Sequence, residues 1–307
     1  MPKDAADTPY QPRQACASRF VELRGLRYHV RCWGEPAAGA VPLVLVHGWM
    51  DVGASFQFLV DALAEQGGAP RVVYAPDWRG FGLTAAGGGD SYWFPDYLAD
   101  LDALLDALAP AGAVDLLGHS MGGNVVMVYA GLRPHRVRRL VNLEGFGLPD
   151  AAPEEAPARL LRWLDELRQP AHLRDYASRA EVADKLRANN PRLPAGHAQW
   201  LAGHWAQAAP NGRWQIRGDP AHKRVNPIGY RAQEAVAAWR QITAPLLWVE
   251  GSAAIEGGRW SARYPRSEFE ARLAAVPQVR RLVLPDCGHM VHHDQPWALA
   301  QALGEFL

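Results

Sequence analysis

The stretch whose reading decides the fold runs from Asp115 to Val126, DLLGHSMGGNVV. An apolar run stops at Gly118, Ser120 follows two positions later, and small residues surround it before an apolar pattern of helical spacing begins. The order is therefore strand, sharp turn, helix. Gly118-His119-Ser120-Met121-Gly122 matches Gly-x-Ser-x-Gly, in which the two glycines let the chain turn without side-chain clashes. The central serine is then held strained, with its hydroxyl exposed at the carboxyl edge of a sheet. Alone the pentapeptide is a weak signal. Its strand-turn-helix setting, with Gly123 letting the helix pack closely, makes Ser120 a candidate nucleophile rather than part of an ordinary glycine-rich connection.

Working outward, PLVLVHGW at Pro42–Trp49 is a continuous apolar run ending in glycine, the pattern of a strand buried on both faces of a parallel sheet. RVVYAPDWRG, VRRLVNLEG, APLLWVEG and VRRLVLPDCGH repeat that form, while SFQFLVDALAEQG, YLADLDALLDALA, GGNVVMVYAGLRP and WALAQALGEFL between them read as helices. Strands alternating with helices of this length predict a doubly wound, mostly parallel α/β sheet. Two β-like segments, SRFVELRG and LRYHVRCWG, precede it with Gly25 at the turn, as suits a sheet edge. Residues 1–17 are expected to form a flexible tail. Residues 146–243 break the rhythm: helical patterns punctuated by Pro and Gly predict a helical insertion before the penultimate strand, with residues 18–145 and 244–307 as the core. That insertion carries Trp163, Trp200, Trp205, Trp214 and Trp239, expected to bury it against the sheet, with some lining a pocket.

Composition narrows the function classes. The 307 residues, 49% of them hydrophobic, suffice for one large core. Lys plus Arg and Asp plus Glu each number 32, so no net field steers nucleic acid or an anionic membrane, and a small molecule is the expected partner. Cys16, Cys32 and Cys287 are too few and too irregularly spaced for a disulfide framework or zinc site. Reduced cysteines, a polar N-terminal segment and no run of about 18 apolar residues lead us to expect a cytoplasmic protein without a membrane span.

A serine hydroxyl needs a base, and VRRLVLPDCGHMVHHDQP places His289 on a glycine turn just past an apolar strand, where its loop reaches back over the sheet edge. His292 and His293 read as packing or solvent residues, His119 and His47 as scaffold. For the developing oxyanion, the backbone N–H of Trp49 in VHGWMD and that of Met121 are placed to converge on one point.

LVLVHGWMD, PDWRGFGLT, GHSMGG and CGHMVHHDQP, in that order, resemble the α/β-hydrolase superfamily, specifically its lidded esterase-type serine hydrolases, over roughly residues 18–307. The resemblance implies that the insertion is a cap over the active site and that Asp77 and Arg79 brace a strand end. It disfavours relatives with an Asp nucleophile, because position 120 is Ser. In one respect the chain departs from the pattern: LWVEGSAAIEGG offers Ala254 where most relatives carry the acid that orients the histidine. Glu144, at the end of VRRLVNLEG, is the first candidate, since some members take the acid from that strand end; Glu256 is the alternative and Glu250 a third. The expectation is a carboxylesterase-like hydrolase of short to medium acyl esters with an apolar pocket, no metal and no organic cofactor, acting as monomer or homodimer. Amide, thioester or carbon–carbon hydrolysis, a lyase, or a ligand-binding pseudoenzyme remain as alternatives.

Overall fold

The computed structural model describes residues 8–67, 71–110, 112–253 and 265–307. In chain order the first elements are β1 (Ala17–Leu23), β2 (Leu26–Trp33), β3 (Leu43–Val46), α1 (Gln57–Glu65), β4 (Val73–Pro76) and α2 (Phe94–Leu108). Then come β5 (Val114–His119), α3 (Met121–Leu132) and β6 (Val137–Leu143). The insertion contains α4 (Ala156–Leu167), β7 (Asp175–Tyr176), α5 (Arg179–Asn189), α6 (Ala195–Trp205), β8 (Ala206–Ala208), β9 (Trp214–Ile216) and α7 (Ala232–Trp239). The chain closes with β10 (Leu246–Gly251), α8 (Arg266–Leu273), β11 (Val279–Leu284), α9 (Val291–Asp294) and α10 (Pro296–Phe306).

Eight strands form one sheet in the order β1-β2-β4-β3-β5-β6-β10-β11. The β1–β2 and β2–β4 pairs are antiparallel, and the strands from β4 to β11 run parallel to their neighbours. The continuous apolar runs are explained by cover on both faces. Val44 and Val46 of β3 point into one core with Leu101 of α2, Val125 of α3 and Phe269 of α8. Leu43 and Leu45 point into the other with Leu59 of α1 and Leu303 of α10. The inner strands β3, β4, β5 and β10 thus bury both pleat faces, which leaves them no polar alternation to show. The edge strands β1 and β11 are largely exposed, and the expectation that VRRLVLPDCGH forms a doubly buried strand is corrected because β11 closes the sheet with only one neighbour.

A third core joins the insertion to the sheet, packing Val52 and Phe58 against Tyr176, Val182, Leu201 and Trp205. Besides the expected helices the insertion holds a small sheet, β7-β9-β8. Strands of two or three residues are too short for a period-2 pattern to register in the sequence. The expectation of a flexible tail up to residue 17 is corrected from Thr8 onward. Asp61, buried on α1, accepts hydrogen bonds from the Tyr10 hydroxyl and from the backbone N–H groups of Arg13 (3.1 Å) and Gln14 (2.9 Å). A buried carboxylate needs such donors, and this segment provides them. Among the described residues no helix is long and apolar enough to cross a membrane.

Candidate active site

The turn after β5 has the geometry that its glycines anticipate. Ser120 sits at φ 51° and ψ −114°, strained for a residue with a side chain, and α3 begins at the next position. A Cβ on Gly118 would lie 2.3 Å from the Gly122 carbonyl oxygen, and one on Gly122 would lie 2.4 Å from that of Val46. The start of α3 therefore presses against the end of β3, and the chain there crosses directly beside the serine.

His289 Nε2 lies 3.0 Å from Ser120 Oγ. On its other side Nδ1 lies 3.3 Å from Glu144 Oε2. A carboxylate only accepts, so Nδ1 carries the proton, and Nε2 presents its lone pair to the serine hydroxyl, which donates to it. Glu144 follows β6 with φ 57° and is buried. Its Oε1 accepts the N–H of Gly251 at the end of the neighbouring strand (2.7 Å). Burial pushes its carboxyl above the usual range, while the bonds from His289 and Gly251 pull the other way.

Glu250 is buried but pinned by Arg266 (2.5 and 2.8 Å) and Arg281 (3.1 Å), neither of them in the insertion. Glu256, like Ala254, lies outside the described residues. Met121 opens α3, so its N–H belongs to the unpaired first turn. Trp49 follows Gly48, where a Cβ would stand 3.1 Å from Ser120 Cβ, so its backbone borders the serine. Its indole side chain is half exposed.

The scaffold roles are specific. His47 Nδ1 donates to the Gly48 carbonyl (2.7 Å) and its Nε2 accepts the Trp78 N–H (2.9 Å); burial drives its pKa down to about 4. Asp77 accepts from His29 (2.7 Å), Gly53 N–H (2.7 Å) and Leu83 N–H (2.9 Å), and Arg79 grips Asp100 through two nitrogens (2.5 and 2.6 Å). His119 Nε2 donates to the carbonyl of His289 (2.9 Å). His292 and His293 are buried, both against Ser55 Oγ (3.0 and 2.6 Å). Asp51 went unnoticed in the sequence: it is buried beside this group, and burial pushes its carboxyl up to about 7. Its signal was a lone acid immediately after the HGWM turn.

A family model described as the alpha/beta hydrolase fold matches residues 41–296. The chain belongs to this family. Among the relatives of this α/β hydrolase, a serine hydrolase-like protein of Dictyostelium discoideum is 24% identical over 292 residues, covering 92% of this chain and 79% of that protein. A 3-hydroxybutyrate-oligomer hydrolase of Cupriavidus necator is 29% identical over 290 residues, covering 91% and 92%. Among solved structures, a thioesterase domain from the curacin biosynthetic pathway superposes with a TM-score of 0.81 at 26% identity, covering 94% of this hydrolase and 99% of that domain.

Proposed function

We propose that this α/β hydrolase is a serine esterase that cleaves small carboxylic esters through Ser120, His289 and Glu144. The observation that carries the reading is the unbroken chain from Ser120 Oγ to His289 (3.0 Å) and on to Glu144 (3.3 Å). In the proposed reaction Ser120 Oγ attacks the acyl carbon as His289 Nε2 takes its proton, a transfer that contributes about 10²- to 10⁴-fold. The N–H groups of Trp49 and Met121 receive the oxyanion, each such donor being worth about 3–4 kcal/mol. His289 then protonates the leaving alcohol, and water, activated by the same imidazole, releases the acid and restores the serine. Glu144 holds the ring in the productive tautomer and stabilises the imidazolium.

Two relatives support an acyl ester or thioester as the bond: the one described as an oligomer hydrolase of a hydroxy acid, and the thioesterase domain. The half-exposed Trp49, and Leu148, Leu160, Leu161 and Leu164 left exposed on the insertion, support an apolar substrate and the role of residues 146–243 as a cap. The working assignment is a cytoplasmic enzyme that needs no organic cofactor and acts on a small molecule, not on nucleic acid or membrane.

A fluorophosphonate probe tests the reading. The wild type is expected to be labelled once per chain and to hydrolyse p-nitrophenyl acetate, and Ser120→Ala to lose both. An unlabelled, inactive wild type would instead be a binding protein of the same fold.

A further inference from the structure

Directly behind Ser120 lies a group of side chains that the proposed reaction does not use. One donor atom from each of Asp51, His119 and His292 lies within 4.8 Å of the other two, and all three residues are buried. Among the described residues, Asp51 Oδ2, His119 Nδ1 and His292 Nδ1 have no hydrogen-bond partner. For His119 the tautomer follows from its surroundings. Its Nε2 faces the carbonyl oxygen of His289, which only accepts, so Nε2 bears the proton and Nδ1 of the neutral ring is a bare lone pair. With Asp51 ionised, a buried carboxylate oxygen and a buried imidazole lone pair face the same space without a donor among the described residues, and a positive centre between them would serve both.

The outer contacts match those of metal-bound histidines. A ligating imidazole ordinarily donates its other N–H to a carbonyl or another oxygen acceptor, which fixes its tautomer and aim. His119 does so to the His289 carbonyl, and His292 Nε2 meets Ser55 Oγ at 3.0 Å. Ser55 can then donate its hydroxyl hydrogen bond to His293 Nε2 at 2.6 Å, leaving His292 Nδ1 free to ligate. Asp51 is held by its Oδ1, which accepts the Val52 N–H at 2.9 Å, so its Oδ2 remains available. On the serine side, the place a Cβ on Gly48 would fill is 3.1 Å from both His119 Nδ1 and Ser120 Cβ, so a side chain there would crowd the His119 lone pair. A glycine there keeps that wall thin.

We propose that Asp51, His119 and His292 form a binding site for a divalent transition-metal ion of the zinc class, one carboxylate and two imidazoles. Two imidazoles with one carboxylate suit this class better than magnesium or calcium, which prefer all-oxygen sets. Ligand atoms around bound zinc stand about 3.4 Å apart, so loading draws the three side chains together by roughly an ångström. The sequence expectation of no metal rested on the proposed hydrolysis needing none and on cysteine spacing, and both are silent on ligands drawn from three distant segments. Because His119 is hydrogen-bonded to the backbone of His289, an ion here also restrains the loop that carries that imidazole.

The test uses the full chain, stripped with chelator and dialysed against zinc chloride. One tightly held zinc per chain is expected, with a rise in melting temperature and an anomalous scattering peak between Asp51, His119 and His292 in crystals of the unmutated protein. Asp51→Asn and His292→Gln should each weaken zinc binding by at least about 100-fold, since even outer-shell changes cost 10- to 100-fold. Ser120→Ala and His289→Ala should keep one ion. The proposal falls if the wild type binds no stoichiometric zinc, as a site holding only a water would. It falls equally if the anomalous peak lies elsewhere, or if His289→Ala abolishes binding while the Asp51 and His292 variants retain it. The scattering measurement decides the matter even where a variant fails to fold.

Discussion

Glu144 and Glu250 end neighbouring strands, are both buried, and differ in what they face. Glu250 meets two guanidinium groups, whereas Glu144 meets one backbone N–H and the imidazole of His289. Their losses should therefore separate. Glu144→Gln is expected to lower kcat on p-nitrophenyl acetate at least tenfold with little change in melting temperature, because the amide still fills the space but no longer stabilises the imidazolium. Glu250→Gln should leave kcat alone and cost about 1–2 kcal/mol, a few degrees of melting temperature, since it removes one of the two carboxylates that Arg266 and Arg281 share, Glu270 remaining. That figure is discounted from the usual cost of breaking a buried pair because both arginines are about 40% exposed and reach water. Steady-state kinetics and thermal melts on the two variants check the division. Ser120 and His289 could be singled out as candidates because a local motif or a turn after a strand marks each, and the fold brings the two together. The proposed acid was harder to read: the loop after β10 offers alanine at the expected position, three glutamates compete, and only strand order shows that the end of β6 stands beside the end of β10.

The elements around the site owe their placement to contacts that no local pattern encodes. Trp205, at the end of α6, donates its indole N–H to the carbonyl of Met50 (2.7 Å), a residue at φ 57° next to Trp49. The insertion thereby grips the loop whose N–H is assigned to the oxyanion. Trp205→Phe keeps most of the ring volume and deletes that bond, leaving a carbonyl short of a donor at a cost of about 1 kcal/mol. If the loop loosens by that amount, kcat/KM on the ester should fall about fivefold. An unchanged kcat/KM alongside a lowered melting temperature would mean that the contact serves only to attach the insertion. Continuous apolar runs identified the inner strands and helical spacing the long helices, because burial of those elements is written into their own residues. The strands β7, β8 and β9 and the anchoring of Tyr10 on Asp61 escaped notice because they depend on partners far away in the chain.

At the scale of the molecule, one consequence of wrapping a doubly covered sheet with an insertion is the number of imidazoles sealed away from water. Burial lowers the pKa of His47, His204 and His222 to about 4 and that of His293 to about 3, from an ordinary value of 6.5. Each therefore stays neutral in the fold while the unfolded chain binds a proton at that residue as pH drops below 6.5. Where the unfolded state holds more protons, stability falls with falling pH, by up to about 1.4 kcal/mol per pH unit for each such group. The loss begins near pH 6.5 and levels off only below about pH 4. Asp51 opposes it: with its carboxyl raised to about 7 from 3.8, the fold holds the extra proton between those values, and its contribution improves on acidification. Four histidines outweigh one carboxylate, and Asp102 and Glu270, held low by arginines, add to the loss once they protonate. The melting temperature is thus expected to drop by more than about 10 °C between pH 7 and pH 4.5, with most of the fall below pH 6.5. Calorimetric scans at half-unit intervals check this, and a flat profile from pH 7 to pH 5 would show that water reaches these rings in the folded protein.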